Sequence, residues 1–128
     1  MSDANTLQNR LVWFDIPVSD LDRAVAFYAE VLGIAVHKES FGDIDFAVLE
    51  HADGNGGCLV LKPEEVASNR GILCYLNADG RLRDAVSKVE AKGGQVMEAI
   101  HSIGPHGFRA LILDSEGNRL ALHSNTDA

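Results

Sequence analysis

Positive charge is in short supply. Lysine and arginine total 11 against 19 aspartates and glutamates, a formal charge of −8 with an isoelectric point near 4.9. Proteins that bind nucleic-acid backbones or anionic membrane surfaces do so by replacing counterions with clustered cations, so neither partner is expected. Long apolar runs are missing as well. No stretch approaches the roughly 20 residues that cross a bilayer, and the first ten residues, MSDANTLQNR, hold no apolar core of secretory-signal type. A cytoplasmic protein is expected. Cysteine occurs twice, at Cys58 and Cys74, in neither a disulfide framework nor a Cys-x-x-Cys pair, which predicts buried free thiols. Also absent are a nucleotide-binding glycine loop, a nucleophile elbow and a catalytic pair of carboxylates. His37, His51 and His101 have no spacing that makes a metal pair and read as strand-end or loop residues. At 128 residues the chain suits one domain with a proper core.

What the chain does contain is a repeat. GGCLVLKP (56–63) matches GNRLALHS (117–124) at an offset of 61, and DRAVAFYAEVLG and RDAVSKVEAKGG match at the same offset, pairing Ala24 and Val25 with Ala85 and Val86. Each half decodes in one order. LVWFDIPV (11–18) is a strand; Ser19 or Asp20 then caps a helix whose apolar positions Leu21, Ala24, Val25, Tyr28, Val31 and Leu32 follow helical spacing, and Gly33 stops it. Strands are predicted at 35–39, 45–49 and 58–61. The second half repeats this with a strand at 72–77, a helix near 81–92 stopped by Gly93 and Gly94, and strands at 95–100, 108–113 and 119–123. The connector KPEEVASNR is short, so the halves, modules 10–62 and 71–124, should pack on one another. The fold class is α+β: two tandem βαβββ modules forming a curved mixed sheet with a cup-like cavity.

Strand alternation then sorts side chains. Val12, Phe14 and Ile16 should cover the helix, which sends Trp13 and Asp15 to the other face, and Tyr75, Asn77 and His123 follow by parity in their own strands. A face bearing Trp13, Asp15, Lys62, Tyr75, Asn77 and His123 reads as a ligand-binding concavity, apolar with a few convergent polar groups. Each member also has a structural reading. A partly buried Asp15 can simply lock neighbouring strands through hydrogen bonds. The GPHG segment 104–107 joins two strands, and its glycines permit a tip that folds over the cup with His106 and Phe108, beside Arg109. Asp114-Ser-Glu-Gly-Asn118 reads as a turn.

At VSDLDRAVAFYAEVLG (18–33) and GFRALILDSEGNRLALHS (107–124) the chain resembles the glyoxalase/bleomycin-resistance/extradiol-dioxygenase group, the vicinal oxygen chelate superfamily, within it the proteins described as predicted enzymes related to lactoylglutathione lyase. The resemblance covers almost the whole chain, as a single glyoxalase-like domain over 1–128, and implies a homodimer. The cup then forms within one chain or across two. In the group's metalloenzymes, His or Gln, Glu, His and Glu hold a divalent ion that chelates two substrate oxygens. Carried over, those places fall on Trp13, Val60, Leu73 and Ala121, which are not metal donors, so neither a metal nor another cofactor is expected. The function this implies is binding of a small, partly apolar metabolite or xenobiotic by Trp13, Asp15, Tyr75, Asn77, His106, Phe108, Arg109 and His123. Two alternatives stand beside it: a metal-dependent lyase, isomerase or dioxygenase with a non-standard centre at Asp15, His123 and His106, and an antibiotic-sequestering protein without chemistry.

Overall fold

A computed structural model describes residues 9–128. Most of the N-terminal stretch used for the secretory-signal expectation, up to residue 8, lies outside the described residues. The elements run β1 (Trp13–Val18), α1 (Leu21–Leu32), β2 (Val36–Phe41), β3 (Ile44–Leu49), β4 (Gly56–Leu61), β5 (Cys74–Asn77), α2 (Leu82–Val89), β6 (Gln95–Ser102), β7 (Phe108–Leu113) and β8 (Arg119–Ser124). Strand, helix and three strands thus occur twice. The mixed sheet comes as two four-stranded sheets, one per module, ordered β1-β4-β3-β2 and β5-β8-β7-β6. In each, the first strand pairs parallel with the last and the remaining pairs are antiparallel. Among the described residues no helix is long and apolar enough to cross a membrane.

The N-terminus of α1 forms where Asp20 accepts a hydrogen bond from the Arg23 N–H, satisfying a donor the first turn leaves open. It ends at Gly33, whose φ of 66° puts it in the left-handed region that glycine adopts without strain. Its buried stripe is Leu21, Ala24, Phe27, Tyr28 and Val31, while Val25 and Leu32 are only partly covered. Phe27 joins the stripe because the second module also packs on this helix: its ring occupies the space a side chain at Gly94 would fill. A single core results. Ile16, Val18 and Leu59 of the first module meet Leu76, Leu82, Val89, Ile112 and Leu122 of the second in one cluster.

The DSEGN segment does turn, with Gly117 at φ 95°, and it also latches the modules. Asp114, 2% exposed, accepts from the Tyr28 hydroxyl at 2.5 Å and from the backbone N–H of Glu116 and Asn118. Glu116 reaches across to accept from the N–H groups of Ser19 and Asp20 and from Nε and Nη2 of Arg23. Asn118 donates to the Pro17 carbonyl. One turn of the second module therefore holds the β1–α1 corner of the first.

Candidate functional site

Alternation in β1 holds. Ile16 and Val18 enter the core with Phe14 packed beside them, leaving Trp13, Asp15 and Pro17 on the face away from the helices. Beside them in β4 stand Gly56, Cys58 and Val60. Cys58 donates through Sγ to Asp15 Oδ1 at 3.1 Å, and burial, then that bond, push its thiol up to about 11. Trp13 meets the edge of the His51 ring, with centroids 5.6 Å apart. His51 lies flat on the chain because Gly56 has no side chain, and Phe14 lies on Gly57 in the same way; a methyl group at Gly57 would come within 2.5 Å of the Phe14 ring.

The second module's outer face gathers a different set. Arg109 of β7 and His123 of β8 stand opposite each other, and Asn77 of β5 flanks His123. The Arg109 guanidinium donates through Nη1 to the Tyr75 hydroxyl and through Nε to Nε2 of His101 at 3.1 Å. Its carbon lies 5.8 Å from the Tyr75 ring centre. Nδ1 of His101 lies 2.8 Å from the Ala99 carbonyl. Since Nε2 accepts, Nδ1 carries the proton. His123 places Nε2 at 2.7 Å from the His106 carbonyl, which makes that nitrogen the donor and leaves Nδ1 without a recorded partner among the described residues. The Tyr75 and His123 rings sit 6.3 Å apart.

The eight nominated residues therefore divide. Trp13 and Asp15 lie on the first module's face with Cys58. Tyr75, Asn77, Arg109 and His123 lie on the second module's face. His106 joins them through its backbone carbonyl, its connection held in a tight 3-10 turn by the Ile103 N–H bonded to the Gly107 carbonyl. Phe108 turns the other way and packs against the core, since neighbouring residues of a strand point to opposite faces and Arg109 takes the outer one. Asn77 spends its side-chain oxygen on the Asp79 N–H. Asp15 and His123 lie in separate sheets and, among the described residues, share no hydrogen bond. Lys62 pairs with Glu65 at 3.9 Å. Three participants escaped the sequence reading: His51, His101 and Cys58. The one most hidden is His101: β6 shifts register between Val96 and Glu98 and again between Glu98 and His101, so a regular ladder continued from Gln95 and Leu113 would set it opposite Gly107 and not Arg109, although its face is unchanged.

A cleft of about 590 Å³ opens between the modules. Phe14, Leu32, Ile34, Leu49 and Leu76 supply its apolar wall, and His51, Asn55, Asn77 and Tyr75 its polar groups. Tyr75 is thus common to the cleft and to the arginine cluster. A second cleft, of about 670 Å³, is bounded by exposed polar residues at the start of α1 and along β2, and none of the nominated residues line it.

The metal positions need one correction. Pro17 and Asn77, sixty apart, stand opposite Val60 and His123, sixty-three apart. The last strand of the first module is thus slipped by two residues from the 61-residue repeat, and the counterpart of Ala121 is Cys58 rather than Val60. The donor set becomes Trp13, Cys58, Leu73 and Ala121: an indole, a neutral buried thiol and two hydrocarbons. These residues do not fit a chelated divalent ion, which needs oxygen and nitrogen donors. Among the described residues no three His, Cys, Asp or Glu side chains gather closely enough to hold a metal.

Comparison with known proteins agrees with the architecture. The model of the Glyoxalase/Bleomycin resistance protein/Dioxygenase superfamily matches residues 10–122. A glyoxylase-like domain-containing protein of Didymella fabae is 28% identical over 123 residues, covering 91% of this chain and 94% of that protein. Among solved structures, a hypothetical protein from S. aureus superposes with a TM-score of 0.70 at 16% identity, over 94% of this chain and 95% of the other. Glyoxalase I from Zea mays also gives 0.70, at 21% identity, over 90% of this chain and 46% of its own. At such identities the two structural likenesses are of fold.

Proposed function

Because the chain belongs to the Glyoxalase/Bleomycin resistance protein/Dioxygenase superfamily, we propose that it binds a small, partly apolar metabolite or xenobiotic without that group's usual metal centre. The observation that carries this reading is Tyr75. Its ring borders the apolar cleft while its hydroxyl takes the Arg109 hydrogen bond, so one amphipathic ligand has an apolar bed and a polar anchor side by side. About 590 Å³ is within the range of small-molecule sites. Trp13 touches the cleft only through its contact with His51, and neither it nor Asp15 is among the cleft's lining residues.

The metal-dependent alternative would need a donor set that Trp13, Cys58, Leu73 and Ala121 do not supply. Zinc, nickel, manganese or iron added to the purified protein is expected to leave its melting temperature unchanged, and a saturable rise would restore that alternative. Binding and catalysis separate on a simple measurement, recovery of ligand unchanged after prolonged incubation. The same proposal places the protein in the cytoplasm as a homodimer. Phe41, 79% exposed, and Ile72, 90% exposed, with Ile44 and Leu61, support a second copy as cover for these apolar surfaces.

The test is a thermal-shift screen of amphipathic metabolites and antibiotics against the wild type and Tyr75→Ala. Hits that raise the wild-type melting temperature and lose the shift in the variant support the reading. A broad panel without a hit removes it.

A further inference from the structure

We infer that the ligand's polar end is an oxyanion, of the carboxylate or phosphonate class, received by the Arg109 guanidinium and the Tyr75 hydroxyl; this rests on the small-molecule reading above. Across the molecule, cations tend to sit beside acids. Arg23, Lys38, Lys62, Arg81, Arg83 and Lys88 each meet a carboxylate. In a chain with 19 acidic residues against 11 basic ones that is the ordinary outcome. Arg109 differs. Its two recorded hydrogen-bond partners, Tyr75 and His101, are a phenol and an imidazole nitrogen acting as acceptor, and neither neutralises it. It is half-buried, so part of its hydration has been given up without a counter-charge in return.

The neutral partners nevertheless fix the guanidinium in place. With Nε and one hydrogen of Nη1 committed, the other Nη1 hydrogen and both hydrogens of Nη2 have no recorded acceptor among the described residues. Tyr75 accepts from Arg109, so its own hydroxyl hydrogen is available to donate. These donors suit the two oxygens of a carboxylate, and the planar guanidinium gives charge-assisted bonds about twice as strong as neutral ones. The same face carries a second arginine that, among the described residues, pairs with no carboxylate. Arg119 of β8 donates to the Gly71 carbonyl, and its Nε is buried with no partner. It stands four residues from His123, roughly 13 Å along the strand. Among the described residues, this face thus holds two guanidiniums with no carboxylate in an ion pair.

Matched probes test this: phenylacetate, benzylphosphonate and the neutral isostere phenylacetamide, titrated by NMR into the wild type, Arg109→Gln and Arg109→Lys. The acids are expected to bind the wild type at least about tenfold more tightly than the amide, the difference of one charge-assisted bond. That gap should vanish in Arg109→Gln and shrink in Arg109→Lys, which keeps the charge and loses the fork. If Arg109→Gln does not fold, the shrinkage in Arg109→Lys decides. Phenylacetamide binding as well as the acids, or a gap that survives in the variants, overturns the inference while the small-molecule reading stands. No binding by any probe, together with a silent screen, removes both.

Discussion

Cys58 shows how one side chain's surroundings set its chemistry. It lies in the middle of β4, 6% exposed, with its thiol donated to Asp15. Burial disfavours the thiolate and the neighbouring carboxylate disfavours it further, moving the thiol from 9.0 to about 11. The thiolate is the reactive species. At pH 8 native Cys58 should therefore react with iodoacetamide about 100-fold more slowly than in the urea-unfolded chain, read by mass spectrometry of the peptide carrying it. Equal rates would mean that Cys58 is neither buried nor held against Asp15 in solution. The sequence shows Asp15 on the outer face by alternation and the thiol as buried. It does not show that the two are neighbours, because that depends on the register between β1 and β4.

The start of helix α1 is tied to the second module by a polar latch. Four donors of the first module, the N–H groups of Ser19 and Asp20 and two from Arg23, converge on Glu116. Burial alone would raise this carboxyl; bonds from Arg23, Ser115, Asp20 and Ser19 outweigh it and lower the group from 4.5 to about 2. A depressed folded value stabilises the protein above about pH 4.5, and that contribution is lost as the pH falls toward 2. Glu116→Gln should cost about 1 to 3 kcal/mol at pH 7 and flatten the dependence of the urea midpoint between those two pH values. A variant as acid-sensitive as the wild type would show that the latch does not carry the effect. The cap at Asp20, the stop at Gly33 and most of the buried stripe were legible from residue type and spacing, which are local properties. Phe27 was not, since its burial comes from Gly94, far along the chain.

The two modules share one hydrophobic cluster and one polar latch, so neither has a complete core alone. Urea unfolding followed by the fluorescence of Trp13, the single tryptophan and a resident of the first module, should coincide with the loss of far-UV circular dichroism from both modules. Two separated transitions would show that the modules fold independently. The duplication, the order of elements and the α+β class all follow from patterns with periods of two, 3.6 and about sixty residues, and each survives without knowledge of what touches what. Strand alternation in particular is indifferent to a slip of two residues, which returns every side chain to the same face. The chain alone could therefore place Trp13, Asp15, Tyr75 and His123 on outer faces, yet assign the counterpart of Ala121 to Val60 when it is Cys58. Pairing across strands and the register shifts in β6 that bring His101 to Arg109 are settled by contacts between distant segments. Those contacts minimise exposed apolar surface and unpaired polar groups over the whole molecule, a condition that no window of sequence contains.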